Sequence, residues 1–297
     1  MKTDPYGVGA GILTTIMWGL AGIFVRLLPP FSPFIVTAGR LLFALAISLP
    51  LVWMFRRDRV SFKGCIYNKH AWRLSILLAG YYFLATTAFQ LSSVAEVALL
   101  LCTSPLFVLM YRRLSGESIR IAEQAGAVMA IGGIALVMLP SLSASHGISP
   151  ARLFGDGLSL LAAAFVGGYA TLYRSLNAHH AAPDPTGVGV MTFAVGGIAV
   201  IIGAMISGAS MGTTPWDSRV WLLFAGFGIL STALPTVAYA IASRRLPPLT
   251  TTTIALLMPL FATLFAFLIL KEAPSPLLLP GSLLVLGGLV IILRSGR

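Results

Sequence analysis

From Gly7 onward the chain repeats one pattern: an apolar run of about 20 residues, a short gap with charge or proline, then another run. A helix of that length crosses the roughly 30 Å of hydrocarbon in a bilayer. The runs do not alternate polar and apolar residues, as the strands of a membrane barrel do. Read between charges and prolines, they predict ten spans. The first five lie near 7–28, 34–55, 72–91, 96–114 and 122–140, the second five near 155–176, 186–207, 220–242, 249–270 and 276–294. Ten spans occupy about 200 residues and leave no room for a separate soluble domain. With 57% hydrophobic residues, 10% charged and a mean hydropathy of +0.91, soluble and disordered classes are excluded. The expected fold class is an all-α integral membrane protein with ten transmembrane helices. The first run is too long for a signal-peptide core and ends in Pro29-Pro30 without a small-residue cleavage site, so it should remain as a span. The longest gaps, 56–71 and 141–154, show no fold of their own.

The formal charge of +11 is gathered in the gaps, which is an orientation signal and not a nucleic-acid footprint. With the amino terminus inside, about 15 Lys and Arg fall on the inner side. They include Lys2, Arg56, Arg57, Arg59, Lys63, Lys69, Arg112, Arg113, Arg120, Arg174, Arg244, Arg245 and Arg297. The outer side receives Arg26, Arg40, Arg152, Arg219 and Lys271. Both termini are therefore expected in the cytoplasm. Cys65 and Cys102 form no disulfide framework or zinc spacing and read as free thiols.

An internal repeat appears at an offset of about 154 residues. Ser104-Pro105-Leu106-Phe107 recurs as Met258-Pro259-Leu260-Phe261, Gly116-Glu117 as Lys271-Glu272, and Gly126 with Gly132-Gly133 as Gly281 with Gly287-Gly288. Gly19 through Arg26 aligns more weakly with Gly167 through Arg174. The chain divides into repeats 1–145 and 146–297. Five spans per repeat is an odd number, so equivalent helices enter the membrane from opposite sides, the inverted arrangement common among secondary transporters.

Pro105 and Pro259 sit at equivalent places in the fourth and ninth spans. Each removes a backbone hydrogen bond and frees the carbonyl four residues earlier, Leu101 or Ala255. Unsatisfied backbone is tolerated at that depth only inside protein or beside water, so the symmetric pair marks a candidate binding site. Tyr82, Thr86 and Phe89 share a face of the third span, Thr232, Pro235, Thr236 and Tyr239 a face of the eighth. With Trp18, Thr103, Tyr169 and Tyr173 they make a set of aromatic and hydroxyl side chains suited to an amphipathic solute; singly, each reads as core packing. Thr250 to Thr253 open the ninth span as a candidate cap. The terminal-span glycines read as helix-packing or dimer-forming surfaces.

The span centres lack Asp, Glu and His; Glu96, Glu123, Asp156 and Glu272 fall at helix ends. A metal centre, carboxylate dyad or Ser-His triad lacks its parts, so no enzyme, metal or cofactor is expected. Proton coupling needs a titratable group along the pathway; facilitated diffusion is the expected energetics, with Glu96 or Asp156 as the groups that would overturn it. Arg40 is the deep cation, and three roles stay open: snorkelling, bonding a freed carbonyl, or contacting a substrate anion.

The paired Ser104-Pro105-Leu106-Phe107 and Met258-Pro259-Leu260-Phe261 motifs, with Gly116-Glu117, Lys271-Glu272, Trp18-Gly19 and the terminal glycine pairs, resemble the drug/metabolite transporter superfamily with two EamA repeats. Within it the chain looks like a YddG-type amino acid exporter. The resemblance implies a basket of helices around a central cavity in the bacterial inner membrane. It implies export of amino acids, aromatic ones favoured, with others such as methionine and threonine. The substrate-binding set is then Trp18, Arg40, Tyr82, Thr86, Thr103, Tyr169, Thr236 and Tyr239, with helix breaks at Pro105 and Pro259. The alternatives are drug or metabolite efflux by the same fold and, remotely, a receptor or scaffold. Partners are the substrate and lipid, not nucleic acid, and the chain is a monomer or homodimer.

Overall fold

Several helices begin where Asp, Ser or Asn precedes an apolar or amphipathic turn. Asp4 accepts from the N–H of Tyr6, Ser32 from Ile35, Asn68 from His70, Ser93 from Glu96, Asp184 from Thr186 and Gly187, and Asp217 from Val220. Such caps satisfy donors the helix itself cannot, each for about 1 kcal/mol. After Asp4, Ser32 and Asp184 a proline opens the helix, where its missing N–H is not needed.

A computed structural model describes residues 4–142, 149–209, 216–245 and 254–295. Lys2, His146, Thr250 to Thr253 and Arg297 lie outside the described residues. The helices are α1 (Pro5–Gly19), α2 (Ala21–Leu27), α3 (Pro33–Met54), α4 (Arg56–Ile66), α5 (Lys69–Leu91), α6 (Val94–Leu101) and α7 (Ser104–Leu114). They continue as α8 (Ile121–Leu142), α9 (Pro150–Ala178), α10 (Pro185–Ile206), α11 (Ser218–Gly228), α12 (Leu234–Arg245), α13 (Met258–Phe265) and α14 (Leu278–Ser295). Wider π turns, Ile229–Ala233 and Ala266–Leu270, follow α11 and α13. No strand occurs among the described residues. Among the described residues eight helical stretches are long and apolar enough to cross a membrane, from Pro5–Leu27 to Ser218–Thr236, and two shorter apolar ones follow, Met258–Leu270 and Leu278–Ile292.

The gap 56–71 is not structureless: it holds α4. Its charges (Arg56, Arg57, Asp58, Arg59 and Lys63) keep it from reading as a span, yet it has two faces. Cys65 is buried against the start of α10, its Sγ 4.0 Å from the Asp184 carbonyl, while Tyr67 just beyond is 90% exposed. In the gap 141–154, residues 143–148 lie outside the described set and α9 already begins at Pro150.

Packing partners recur in matched pairs. α1 packs on α12 as α5 packs on α9; α1 meets α13 as α9 meets α7; α11 lies on α3 as α10 lies on α5. α8 pairs with α14, α10 with α3 and α6 with α13. The α8–α14 seam runs along glycine. A Cβ on Gly126 would lie 2.6 Å from the Gly288 carbonyl oxygen, and one on Gly133 would lie 2.7 Å from that of Gly281. Lipid gives helices no hydrophobic drive to associate, so backbone approach of this kind carries the contact. Gly132 faces open space. The glycines expected to pack helices or copies thus serve, in five of six cases, a seam within this chain.

Candidate functional site

Two helix breaks organise the centre. α6 stops at Leu101, Cys102 and Thr103 turn, and Pro105 sits in the first turn of α7. Across this break the Thr103 N–H donates to the Leu100 carbonyl at 3.1 Å and the Leu106 N–H to the Thr103 carbonyl at 2.8 Å. The second half repeats both bonds, Leu257 to Ile254 at 3.0 Å and Leu260 to Leu257 at 3.1 Å, with Pro259 in the first turn of α13. The prolines therefore start new helices instead of kinking continuous ones. Thr103 is fully buried and donates its hydroxyl to Leu100 at 2.6 Å, so it closes the break. Each break rests on a glycine of the crossing helix. A Cβ on Gly19 would meet Phe261 Cβ at 3.1 Å, and one on Gly167 would meet Phe107 Cβ at 3.1 Å.

Next to the breaks the structure gathers aromatic residues from both halves. The Trp18 ring lies 5.3 Å from that of Tyr239. The Tyr82 hydroxyl is in hydrogen-bonding reach of Thr236, and Tyr169 lies within electrostatic range of Tyr173, Tyr82 and Tyr239. Trp18, Tyr82, Tyr169, Thr236 and Tyr239 thus converge from α1, α5, α9 and α12. Tyr81, which the stripe of Tyr82 and Thr86 passes over, lies beside Tyr82 with the rings tilted and their centres 5.3 Å apart. Its adjacency in sequence hid it, since neighbours on a helix point about 100° apart.

Arg40 is 3% exposed and enclosed. Its Nε donates to Thr232 Oγ1 at 3.1 Å, Nη1 to Thr86 Oγ1 at 3.3 Å and Nη2 to the Ser231 carbonyl at 3.4 Å. Its guanidinium lies 4.1 Å from the Phe227 ring centre and 4.6 Å from that of Tyr82. Of the roles open to it, bonding a freed carbonyl is the one seen: Pro235 has no N–H to offer Ser231 four residues back, and the π turn presents that carbonyl to Arg40. Thr86 and Thr232 belong to this cage.

The edge carboxylates are engaged. Glu96 holds Arg152, and the Ser92 hydroxyl lies 3.3 Å from Glu96 and against Asp156. Arg26 reaches Glu272 at 3.5 Å and the Ser92 carbonyl at 2.6 Å, while Glu272 accepts the Val94 N–H at 3.2 Å. A second group, Arg112 with Glu117 at 2.9 Å and with Glu123 at 2.7 Å, joins α7 to α8. Nearby, Arg120 donates to the Ser295 carbonyl. A cavity of about 390 Å³ lies elsewhere, between α4 and the Pro183–Asp184 turn, lined by Ser61, Cys65 and Asn68. Among the described residues no three His, Cys, Asp or Glu group as a metal site.

Helices long enough to cross a membrane, broken twice at matched places around an aromatic centre, define a polytopic membrane carrier. The pattern of the EamA-like transporter family matches residues 5–139 and 153–294. The chain belongs to that family, within the drug/metabolite transporter superfamily, and is a multi-pass membrane protein with a small-molecule substrate. An uncharacterized transporter of Archaeoglobus fulgidus is 26% identical over 97% of both chains. A probable terminal-alkyne amino-acid exporter of Streptantibioticus cattleyicolor is 31% identical over 66% of this chain and 63% of its own. A protein known from its crystal structure shares the fold, with a TM-score of 0.69 over 98% of both chains at 19% identity.

Proposed function

We propose that this EamA-family carrier exports amino acids across a bacterial inner membrane, aromatic ones preferred, with methionine and threonine among its other substrates. The convergence of Trp18, Tyr82, Tyr169, Thr236 and Tyr239 from both halves carries this reading. Aromatic faces attract an ammonium group and stack on an aromatic side chain, and the Tyr and Thr hydroxyls bond a carboxylate. Arg40 stands directly behind Tyr82 and adds positive potential on that side, bearing on a carboxylate from the wall. The likeness to a probable amino-acid exporter points the same way.

The reading takes the chain as ten spans in two inverted five-helix repeats, 1–145 and 146–297, around a central cavity, with both termini cytoplasmic. The matched packing and paired breaks support that symmetry. Transport is facilitated diffusion and the protein is not an enzyme: Glu96 and Glu272 are held in ion pairs, away from the aromatic centre. Counterflow of labelled phenylalanine, methionine and threonine in proteoliposomes tests it. Trp18→Ala and Tyr82→Ala are expected to slow exchange while leaving expression normal. Exchange of drugs or other metabolites but no amino acid would move the assignment to efflux. Concentrative uptake driven by a pH gradient alone would replace facilitated diffusion with proton coupling.

A further inference from the structure

An inverted repeat allows its two halves to exchange conformations between the two states of a transport cycle. A contact between the halves in one state then specifies a contact between the repeat-equivalent residues in the other. The Arg26–Glu272 pair is a contact of this kind, made at 3.5 Å between the end of α2 and the segment after α13.

Its equivalents follow from structural register. Gly19 packs on Phe261 as Gly167 packs on Phe107, and Arg26 and Arg174 stand at the same step along the chain from those glycines. Glu272 follows Lys271, at φ 59°, and Glu117 follows Gly116, at φ 82°. In both halves a left-handed residue thus turns the chain out of the helix just before a glutamate, and in the second half that glutamate meets the crossing helix at Arg26. Here Glu117 is paired with Arg112 and its side chain is 59% exposed.

We propose that Arg174 and Glu117 form the alternate gate pair: as Arg26 and Glu272 separate, Glu117 leaves Arg112 and joins Arg174 on the opposite side of the membrane. Resting on the transport reading, this makes Arg26, Glu272, Arg174 and Glu117 positioning residues for the cycle, none of which touches substrate. The Glu96–Arg152 pair reinforces the closure seen here. Its glutamate aligns with Thr250 in the second half, so no such second pair supports the opposite closure.

The cross-linking and labelling tests need no substrate, so they separate failure of this gate from failure of the amino-acid assignment, which counterflow reports. In proteoliposomes, with Cys65 and Cys102 replaced, Glu117→Cys with Arg174→Cys is exposed to an oxidant. Adding Glu272→Gln removes the opposing pair and is expected to raise cross-linking about fivefold, the population shift that a partly exposed ion pair supports. Unchanged or reduced cross-linking overturns the proposal. Should the double variant fail to assemble, labelling of Glu117→Cys alone by an impermeant maleimide reads the same event. Labelling should fall when Glu272→Gln is added; equal labelling overturns the gate. Glu117→Arg is expected to block exchange and Glu117→Arg with Arg174→Glu to restore it, a rescue that a purely structural role for Glu117 on Arg112 does not give.

Discussion

Gly132 and Gly133 are neighbours of identical chemistry for which the structure predicts opposite responses to one added methyl. In Gly133→Ala the new Cβ would sit 2.7 Å from both the Gly281 carbonyl oxygen and the Val285 nitrogen. Both are backbone atoms of α14, so no side chain can swing aside. Ordinary contact requires the seam to open by about 0.7 Å, and a gap of that size forfeits a quarter to a half of the dispersion between the facing surfaces. The expected cost is about 1–3 kcal/mol, the range for overpacking a well-packed core. In Gly132→Ala the Cβ meets nothing within 4 Å, and the alanine's lower backbone entropy favours the helix by up to about 1 kcal/mol. Thermal unfolding in detergent, followed by dye labelling of newly exposed cysteine, should separate the two variants by several degrees, with Gly132→Ala at or above the parent. If Gly132→Ala falls as far as Gly133→Ala, or the order reverses, the α8–α14 seam is not where the backbone distances put it.

Arg40→Ala strips charged donors from Thr232, Thr86 and Ser231 and should lower stability by about 2–4 kcal/mol, read as a melting-temperature loss in substrate-free protein. Lys271→Gly relieves a left-handed non-glycine residue and should raise stability by up to about 1 kcal/mol, measured by the same melt. Burial, with the Asp184 carboxylate adding to it, pushes the Cys65 thiol above its ordinary range; thiolate is scarce at neutral pH, so alkylation should be slow at pH 7 and accelerate as pH climbs past the usual thiol value. Tyr67→Cys, in a background lacking both native cysteines, should resist an impermeant maleimide in intact cells and label in inverted vesicles. Labelling from outside would reverse the proposed orientation. Tyr67 is the better reporter than nearby Ser61, whose hydroxyl is turned inward and buried.

The helices were legible because hydrocarbon imposes length and apolarity on every segment that crosses it. The duplicated Pro105 and Pro259 motifs marked both breaks, since a missing N–H acts locally whatever surrounds it. Three features escaped for identifiable reasons. α4 carries too much charge to register as apolar, although buried Cys65 and exposed Val60 show its two faces. The π turn at Ile229–Ala233 widens the helix, so a 3.6-residue period put Thr232 in one stripe with Thr236 and Tyr239 while the fold gives Thr232 to Arg40. That cage joins α3, α5 and the π turn, a tertiary fact no local pattern carries. A better signal stood at the helix starts: Asp4-Pro5, Ser32-Pro33, Ser149-Pro150 and Asp184-Pro185 each pair a capping residue with a proline, and each opens a helix.

The glycine seam also dictates an order of events during synthesis. α8 presents Gly126 and Gly133 to a helix made long after it; the nearby bond from Arg120 to Ser295 joins positions 175 apart. Until α14 leaves the ribosome and inserts, the glycine face of α8 has only lipid against it, and the earlier helices assemble around an unfinished edge. Such a late, long-range closure is slow to form and leaves an intermediate open to wrong pairings. Quality-control proteases that recognise unpaired transmembrane helices therefore have their window on α8. Chains stopped short of Gly281 should be degraded even though most of their spans are in place.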